Sequence, residues 1–322
     1  MAMYPPLTKA ACWLKSKFRA RPLVVHRGKV LLPSETINPP RMRGDSTAYK
    51  SAVGHTSVTP RDLISTKIRN FLTQAEKDGY EWAWSDTCCI DKTSSTELTE
   101  AINSMFRYYA LSDVCYVYLA DVPAEAPKHA SPFTSSRWHT RGWTLQELLA
   151  PQNVLFMSRD WTPLGNKCTL AEMLERVTSI PTSVLRLEED FATMSIATRM
   201  SWAARRTTTR VEDEAYCLLG IFGVNMPTIY GEGRNAFYRL QEEIVRSSVD
   251  TTLLVWGFDF GFWANIKDIA TLESMANTQG TEFEHPPTRH AFASSPQKFR
   301  NSRYIEAGYR STRELVSLFL LS

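Results

Sequence analysis

The sequence predicts an α/β protein: a parallel sheet flanked by helices, followed by a C-terminal helical part. Three observations predict it. Short apolar runs at 80–86, 114–119 and 153–157 alternate with stretches of helical periodicity. The run Val114-Cys-Tyr-Val-Tyr-Leu119 is apolar without alternation, as in a strand covered on both faces. From about 166 to 248 apolar residues recur at helical spacing, and no strand pattern interrupts them.

The N-terminal 61 residues carry little periodicity and several prolines, so they read as a poorly organised segment. Within it Pro22–His26 and Val30–Leu32 are short enough to pair as strands. Leu63, Ile64, Ile68, Phe71, Leu72 and Ala75 then share one helical face, which Gly79 ends. After the aromatic strand Tyr80–Ser85, Ser94 and Glu97 stand at capping-box spacing before a stripe of Leu98, Ile102, Met105, Phe106 and Tyr109. Strand, helix and strand in this order give a parallel crossover. The stretch from Asp121 to Ser136, rich in Pro, Ala and Ser, reads as a long exposed loop, and loops of that length are often functional. A helix follows at Arg141–Leu149. Downstream, Leu170, Met173, Leu174 and Val177 form one helical stripe, and Ala215, Leu218, Leu219 and Phe222, ended by Gly223, form a second. Phe237, Leu240, Ile244 and Val245 form a third, with Arg239/Glu243 and Glu242/Arg246 spaced for i,i+4 pairing. The expected organisation is therefore an N-terminal segment 1–61, an α/β core 62–160, a helical part 161–250 and an irregular extension 251–322.

Composition narrows the class. With 322 residues, 43% hydrophobic and 22% charged, the chain has the make-up of a soluble globular protein of one large or two ordinary domains. Lys and Arg exceed Asp and Glu by only three, and no long basic run appears, so no nucleic-acid partner is expected. The apolar runs Val114–Ala120 and Leu315–Leu321 are far shorter than the roughly 20 residues of a membrane span. Lys9, Lys15, Lys17 and Arg19 break any signal peptide. The six cysteines, at 12, 88, 89, 115, 168 and 217, show no CxxC spacing and read as reduced thiols in a cytoplasmic protein.

Most chemical signatures are absent. There is no GxxxxGK[ST], no GxSxG, no HExxH and no zinc-spaced Cys/His set, so neither a metal nor a resident cofactor is expected. Gly231-Glu-Gly233 reads as a turn before the third helix, and Cys88-Cys89 as small buried hydrophobes. What remains is a set of carboxylates where the strands end, which is where open α/β sheets bind ligands. Asp86 and Asp91 follow one strand and Asp121 the next. Glu147 lies one turn beyond Trp143, so that an aromatic ring and a carboxylate share a helix face suited to a sugar or nucleotide. The structural alternatives are Trp143 as a core anchor and Glu147 as a solvated residue or the partner of Arg137 or Arg141.

These residues carry a resemblance. Trp84-Ser-Asp-Thr-Cys-Cys-Ile-Asp-Lys92, Glu97-Leu-Thr-Glu-Ala-Ile-Asn-Ser-Met105 and Cys115-Tyr-Val-Tyr-Leu-Ala-Asp121 resemble the heterokaryon incompatibility (HET) domain of filamentous fungi. Arg141-Gly-Trp-Thr-Leu-Gln-Glu-Leu-Leu-Ala-Pro151 resembles that family's central motif. Thr209–Gly220, Tyr230–Gly233 and Phe237–Ile244 resemble its downstream signature, and the likeness spans roughly 62–256.

The resemblance implies a fungal cytoplasmic effector of nonself recognition and cell death, with a sensor or incompatibility partner not identifiable here. HET domains are thought to be distant relatives of Toll/interleukin-receptor (TIR) domains, so the implied fold is a TIR- or flavodoxin-like parallel sheet. Some TIR domains cleave NAD+ with a glutamate in a W-C-x-x-E motif. Trp143-Thr-Leu-Gln-Glu147 matches that spacing, with Thr144 in place of the cysteine. On this reading NAD+ is a substrate, Glu147 is the catalytic carboxylate, and Trp143, Arg141, Asp86 and Asp121 bind the substrate. The chemistry resembles glycoside cleavage, in which a carboxylate stabilises a developing oxocarbenium ion, and Arg141 meets a phosphate. The family's opening strand, with a Leu-Ser-His/Tyr-x-Trp motif, has only Val24-Val-His-Arg-Gly28 as a faint counterpart. The alternative is therefore a non-catalytic module that signals through homotypic self-association, or an inactive copy lacking its first strand.

Overall fold

The computed structural model describes residues 23–26, 65–80, 82–125, 130–254, 256, 292–303 and 305. They divide into two compact units, Met1–Glu188 and Glu189–Ser322. The first unit holds a five-stranded mixed sheet in the order β2-β1-β3-β4-β5, with β1 at Leu23–His26, β2 at Trp82–Trp84, β3 at Val114–Tyr118, β4 at Val154–Met157 and β5 at Pro163–Asn166.

Connection lengths explain why the sheet is mixed rather than parallel. The three strands expected from the sequence, β2, β3 and β4, are joined by helical crossovers and run in one direction, because β2 and β3 are both antiparallel to β1 and β3 is parallel to β4. The turn 158–162 between β4 and β5 is of hairpin length and forces β5 to run back. One pair of neighbours, β3 with β4, is therefore parallel, and the expected all-parallel sheet is corrected to this mixed one. A fifth strand, Pro-Leu-Gly-Asn, was not expected from the sequence and forms β5 just before the helical part. β1 occupies a central place between β2 and β3, pairing Val24 with Trp84 and Cys115. Pro22–His26 was expected to pair with Val30–Leu32, which lies outside the described residues.

Alternation along the strands sends each face to a different layer. Helix α1, Thr66–Lys77, buries Ile68, Phe71, Leu72 and Ala75 against Tyr116 and Met157. The Tyr116 hydroxyl donates to Asp78 at the end of that helix. Removing the Phe71 ring, 1% exposed, would cost about 3–5 kcal/mol. After the short α2, Asp86–Cys89, comes α3, Ser95–Ala110. Ser94 caps α3 as expected, taking the Glu97 N–H, but the Glu97 carboxylate accepts from the Asp91 N–H instead of closing the box on Ser94. Trp84 packs on Tyr108 and Tyr109 of α3. The segment expected to be an exposed loop, Asp121 to Ser136, contains α4, Ala130–Thr134, and leads into a 3-10 turn, Arg137–Thr140, with Phe133 and Trp138 buried on Phe156 of β4. Helix α5, Thr144–Leu149, is buried along its whole length, and α6, Ala171–Thr178, and α7, Thr182–Leu185, complete this unit.

The regular elements among the described residues of the second unit are helices. Helix α8 covers Ile196–Ser201, and the expected second stripe is split into α9, Asp213–Tyr216, and α10, Leu219–Phe222, which the left-handed Gly223 ends. Helix α11, Asn235–Ser247, buries Phe237, Leu240 and Ile244, whereas Val245 is exposed. The expected i,i+4 pairs give way to Arg246 on Glu243 and Arg239 on Glu232.

Candidate functional site

Because β2, β3 and β4 share a direction, Asp86 and Asp121 follow strand ends on the same edge of the sheet. With β1 between their strands and Trp84 level with Cys115, three residues before the end of β3, those strand ends are about 14 Å apart. The chain leaves β3 at this edge and passes through α5 before it enters β4.

Asp121 fastens the connection. Its Oδ1 accepts from the Ser136 hydroxyl at 2.7 Å and its Oδ2 from the Arg137 N–H at 2.9 Å. Burial raises the Asp121 pKa, but those two donors and the Arg137 charge outweigh it and hold the carboxyl below its usual range. The Arg137 side chain is 74% exposed, so its 3.5 Å ion pair with Asp121 adds little. Ser136 Oγ in turn accepts from the Trp138 N–H, which caps the 3-10 turn. The Trp138 ring, edge-on to Phe156 and His139, aims its indole N–H at Glu147 Oε2, 3.2 Å away. A continuous run of hydrogen bonds and one indole ring therefore connects Asp121 to Glu147.

Glu147 is 3% exposed, so it is neither a solvated residue nor, on this geometry, an ion-pair partner of Arg137, which sits on Asp121. Trp143 starts α5 and is half-buried, while the anchor in the core is Trp138. Arg141 is half-buried, and its carbonyl accepts from Thr144 Oγ1 at 2.8 Å. The same hydroxyl bonds the Trp138 carbonyl at 2.7 Å, so Thr144 ties the 3-10 turn to α5. Asp86 accepts from the Thr87 hydroxyl, and Asp91 serves the turn into α3 through Thr93. Gln146, beside Glu147, is buried, and its Nε2 has no hydrogen-bond partner. At the other end of α5, Lys167 Nζ donates to the carbonyls of Leu148 and Pro151, and burial lowers its pKa to about 8.

Sequence reasoning passed over Ser136, Trp138 and Lys167. A serine directly before Arg-Trp-His-Thr is a capping signal that marks the turn, whereas nothing local marks Lys167 as a helix cap. Among the described residues no three His, Cys, Asp or Glu side chains gather as metal ligands, and no helix is long and apolar enough to cross a membrane. Cys89, Cys115, Cys168 and Cys217 are free thiols, and burial pushes the Cys217 thiol up. In the second unit the Gly231-Glu-Gly233 segment is a turn held by Glu212, whose Oε1 accepts from the N–H groups of Gly231 and Gly233.

Residues 43–131 match the family model described as Heterokaryon incompatibility protein (HET), and residues 235–317 match a domain of unknown function, DUF8212. The chain is 49% identical over 185 residues to Vegetative incompatibility protein HET-E-1 of Podospora anserina. Residues 43–131 are thus similar to the fungal HET domain. The alignment to the relative covers 55% of this chain and 14% of the relative, so the chain spans a small part of that protein's length. No solved structure matches this chain.

Proposed function

We propose that this chain is an effector of vegetative incompatibility that triggers cell death by cleaving NAD+, with Glu147 as the reacting carboxylate. The likeness to HET-E-1 supports the biological role. The observation that carries the chemistry is the buried carboxylate of Glu147 on the first turn of α5, tied through Trp138 and Ser136 to Asp121, which follows β3. A carboxylate there is suited to stabilise the positive charge that develops on ribose as nicotinamide departs. Trp143 and Arg141, a few residues earlier, offer a ring for the nucleotide and a cation for the diphosphate. In this reading Asp86 and Asp121 would take ribose hydroxyls.

Incubating the purified chain with millimolar NAD+ and measuring nicotinamide release tests the reading. Glu147→Gln keeps the shape and removes the charge. The expected result is loss of NAD+ cleavage and of toxicity in a fungal host, with the circular dichroism spectrum unchanged. A fully toxic Glu147→Gln variant, with NAD+ levels unchanged by either protein, would establish the non-catalytic reading in which homotypic assembly carries the signal.

A further inference from the structure

A carboxylate that is 3% exposed cannot touch a substrate until something uncovers it. We propose that residues 133–140 are a latch over Glu147, fastened at Asp121, and that lifting this latch is the step that activates the site. The proposal rests on the reading of Glu147 as the reacting carboxylate.

Several observations identify the moving part. The segment is held together by its own bonds: the Ser136 N–H to the Phe133 carbonyl at 3.2 Å, the His139 N–H to the Ser136 carbonyl at 3.1 Å, and the His139 ring to the Phe133 carbonyl at 3.0 Å. It can therefore move as one piece. Its fastenings to its surroundings include the Asp121 carboxylate, the indole bond to Glu147, and the packing of Phe133 and Trp138 on Phe156. Lifting it breaks the hydrogen bond from the Trp138 indole to Glu147 and uncovers that carboxylate. Independently, Gln146 Nε2, on the residue before Glu147, is buried without a partner. Such a group marks a place where the closed arrangement is incomplete, and a ligand or water admitted on opening would complete it. The buried rings keep the closed state dominant, so activity is low until a ligand, substrate included, or a partner favours the open one.

The test uses the whole chain and Ser136→Ala, which removes the hydroxyl between Asp121 and Trp138 and leaves Glu147 and the candidate substrate contacts in place. Glu147 is labelled with a water-soluble carbodiimide and glycine ethyl ester and read by mass spectrometry. Hydrogen exchange over 133–149 is followed across low urea concentrations, and nicotinamide release is measured in parallel. Losing a cap of this kind raises the open population on the order of five-fold. The expected result is a similar rise in Glu147 labelling, with exchange at 133–149 insensitive to urea, the mark of a local opening. If labelling and exchange at Glu147 in the wild-type chain track global unfolding, the latch is overturned, whether or not the variant folds. Faster labelling without nicotinamide release from either protein keeps the latch and removes the NAD+ reading. Nicotinamide release that Ser136→Ala leaves unchanged, with unchanged labelling, keeps the NAD+ reading and removes the latch.

Discussion

Gln241 clamps the backbone of Ala293 from both sides: its Nε2 donates to the Ala293 carbonyl at 2.8 Å, and its Oε1 accepts the Ala293 N–H at 2.9 Å. The glutamine is fully buried on α11, and 52 residues separate the two, so one side chain fixes the stretch at 292–303 to that helix. Gln241→Leu keeps the volume but leaves a buried N–H and a buried carbonyl unpaired. The expected cost is about 2–4 kcal/mol. Urea unfolding followed in the second unit, together with loss of exchange protection at the Ala293 amide, measures it.

Lys167 makes stability depend on pH in the alkaline range. Burial lowers its pKa from 10.5 to about 8 in the folded chain. Between those values the unfolded chain binds the proton and the folded chain does not, so stability rises with pH through this window and is flat with respect to Lys167 below it. The gain is about 3 kcal/mol between pH 8 and 10.5. Lys167→Met abolishes the titration and also strips the Leu148 and Pro151 carbonyls of their donor. The difference in unfolding free energy between wild type and variant should therefore grow from pH 8 to 10.5, and a difference that stays level across the window refutes the assignment.

Glu212 behaves in the opposite sense. Its own backbone N–H and those of Gly231 and Gly233 hold its carboxyl below the usual range against the opposing effect of burial. This stabilisation is present above the unfolded pKa of about 4.3 and is lost as the pH falls through the folded value. Glu212→Gln should cost about 1–2 kcal/mol at neutral pH, and urea melts at acid pH should bring the variant level with wild type. The same turn needs left-handed backbone at Gly233, where φ is +62°, so Gly233→Ala should cost about 1 kcal/mol although nothing lies within 4 Å of the added methyl.

Where local periodicity and capping decide structure, the sequence was readable. Ser94 caps α3, Gly79 and Gly223 end helices in left-handed backbone, and the apolar run at 114–118 is the buried strand β3. The pairing of β1 was not readable, because a four-residue Leu-Val-Val-His strand contains nothing that names its neighbours or its direction. β5 was missed for a related reason: Pro-Leu-Gly-Asn has no strand signature and exists because a short turn returns it to β4. At the candidate site the sequence supplied Asp121, Trp143 and Glu147, but their separation in the chain says nothing of burial. Glu147 is buried and takes the indole N–H of Trp138, and Trp138 lies in a polar stretch, Ser-Ser-Arg-Trp-His-Thr, that reads as loop until Phe156 is known to receive its ring.

The bond from Ser136 to Asp121 allows a final prediction about how the site is held. If the two side chains act through their shared hydrogen bond, removing either should cost about as much as removing both, because each loss leaves the other without its 2.7 Å partner. Asp121→Asn retains an oxygen acceptor but loses the charge that strengthens the bonds from Ser136 and from the Arg137 N–H, and should destabilise the first unit by about 1–2 kcal/mol at neutral pH. Ser136→Ala additionally uncaps the Trp138 N–H and should cost about as much. The coupling energy in the double-mutant cycle is expected at about 1 kcal/mol and should vanish in acid, since a carboxyl held below its usual pKa stabilises above its unfolded value and ceases to do so once it is protonated. Arg137→Ala provides the contrast. Its exposed guanidinium contributes little, and the backbone N–H that Asp121 receives survives the substitution, so that variant should unfold within about 0.5 kcal/mol of wild type. Additive costs for Asp121→Asn and Ser136→Ala would mean that the two side chains stabilise the connection independently, and that the run of bonds from Asp121 to Glu147 does not act as a unit.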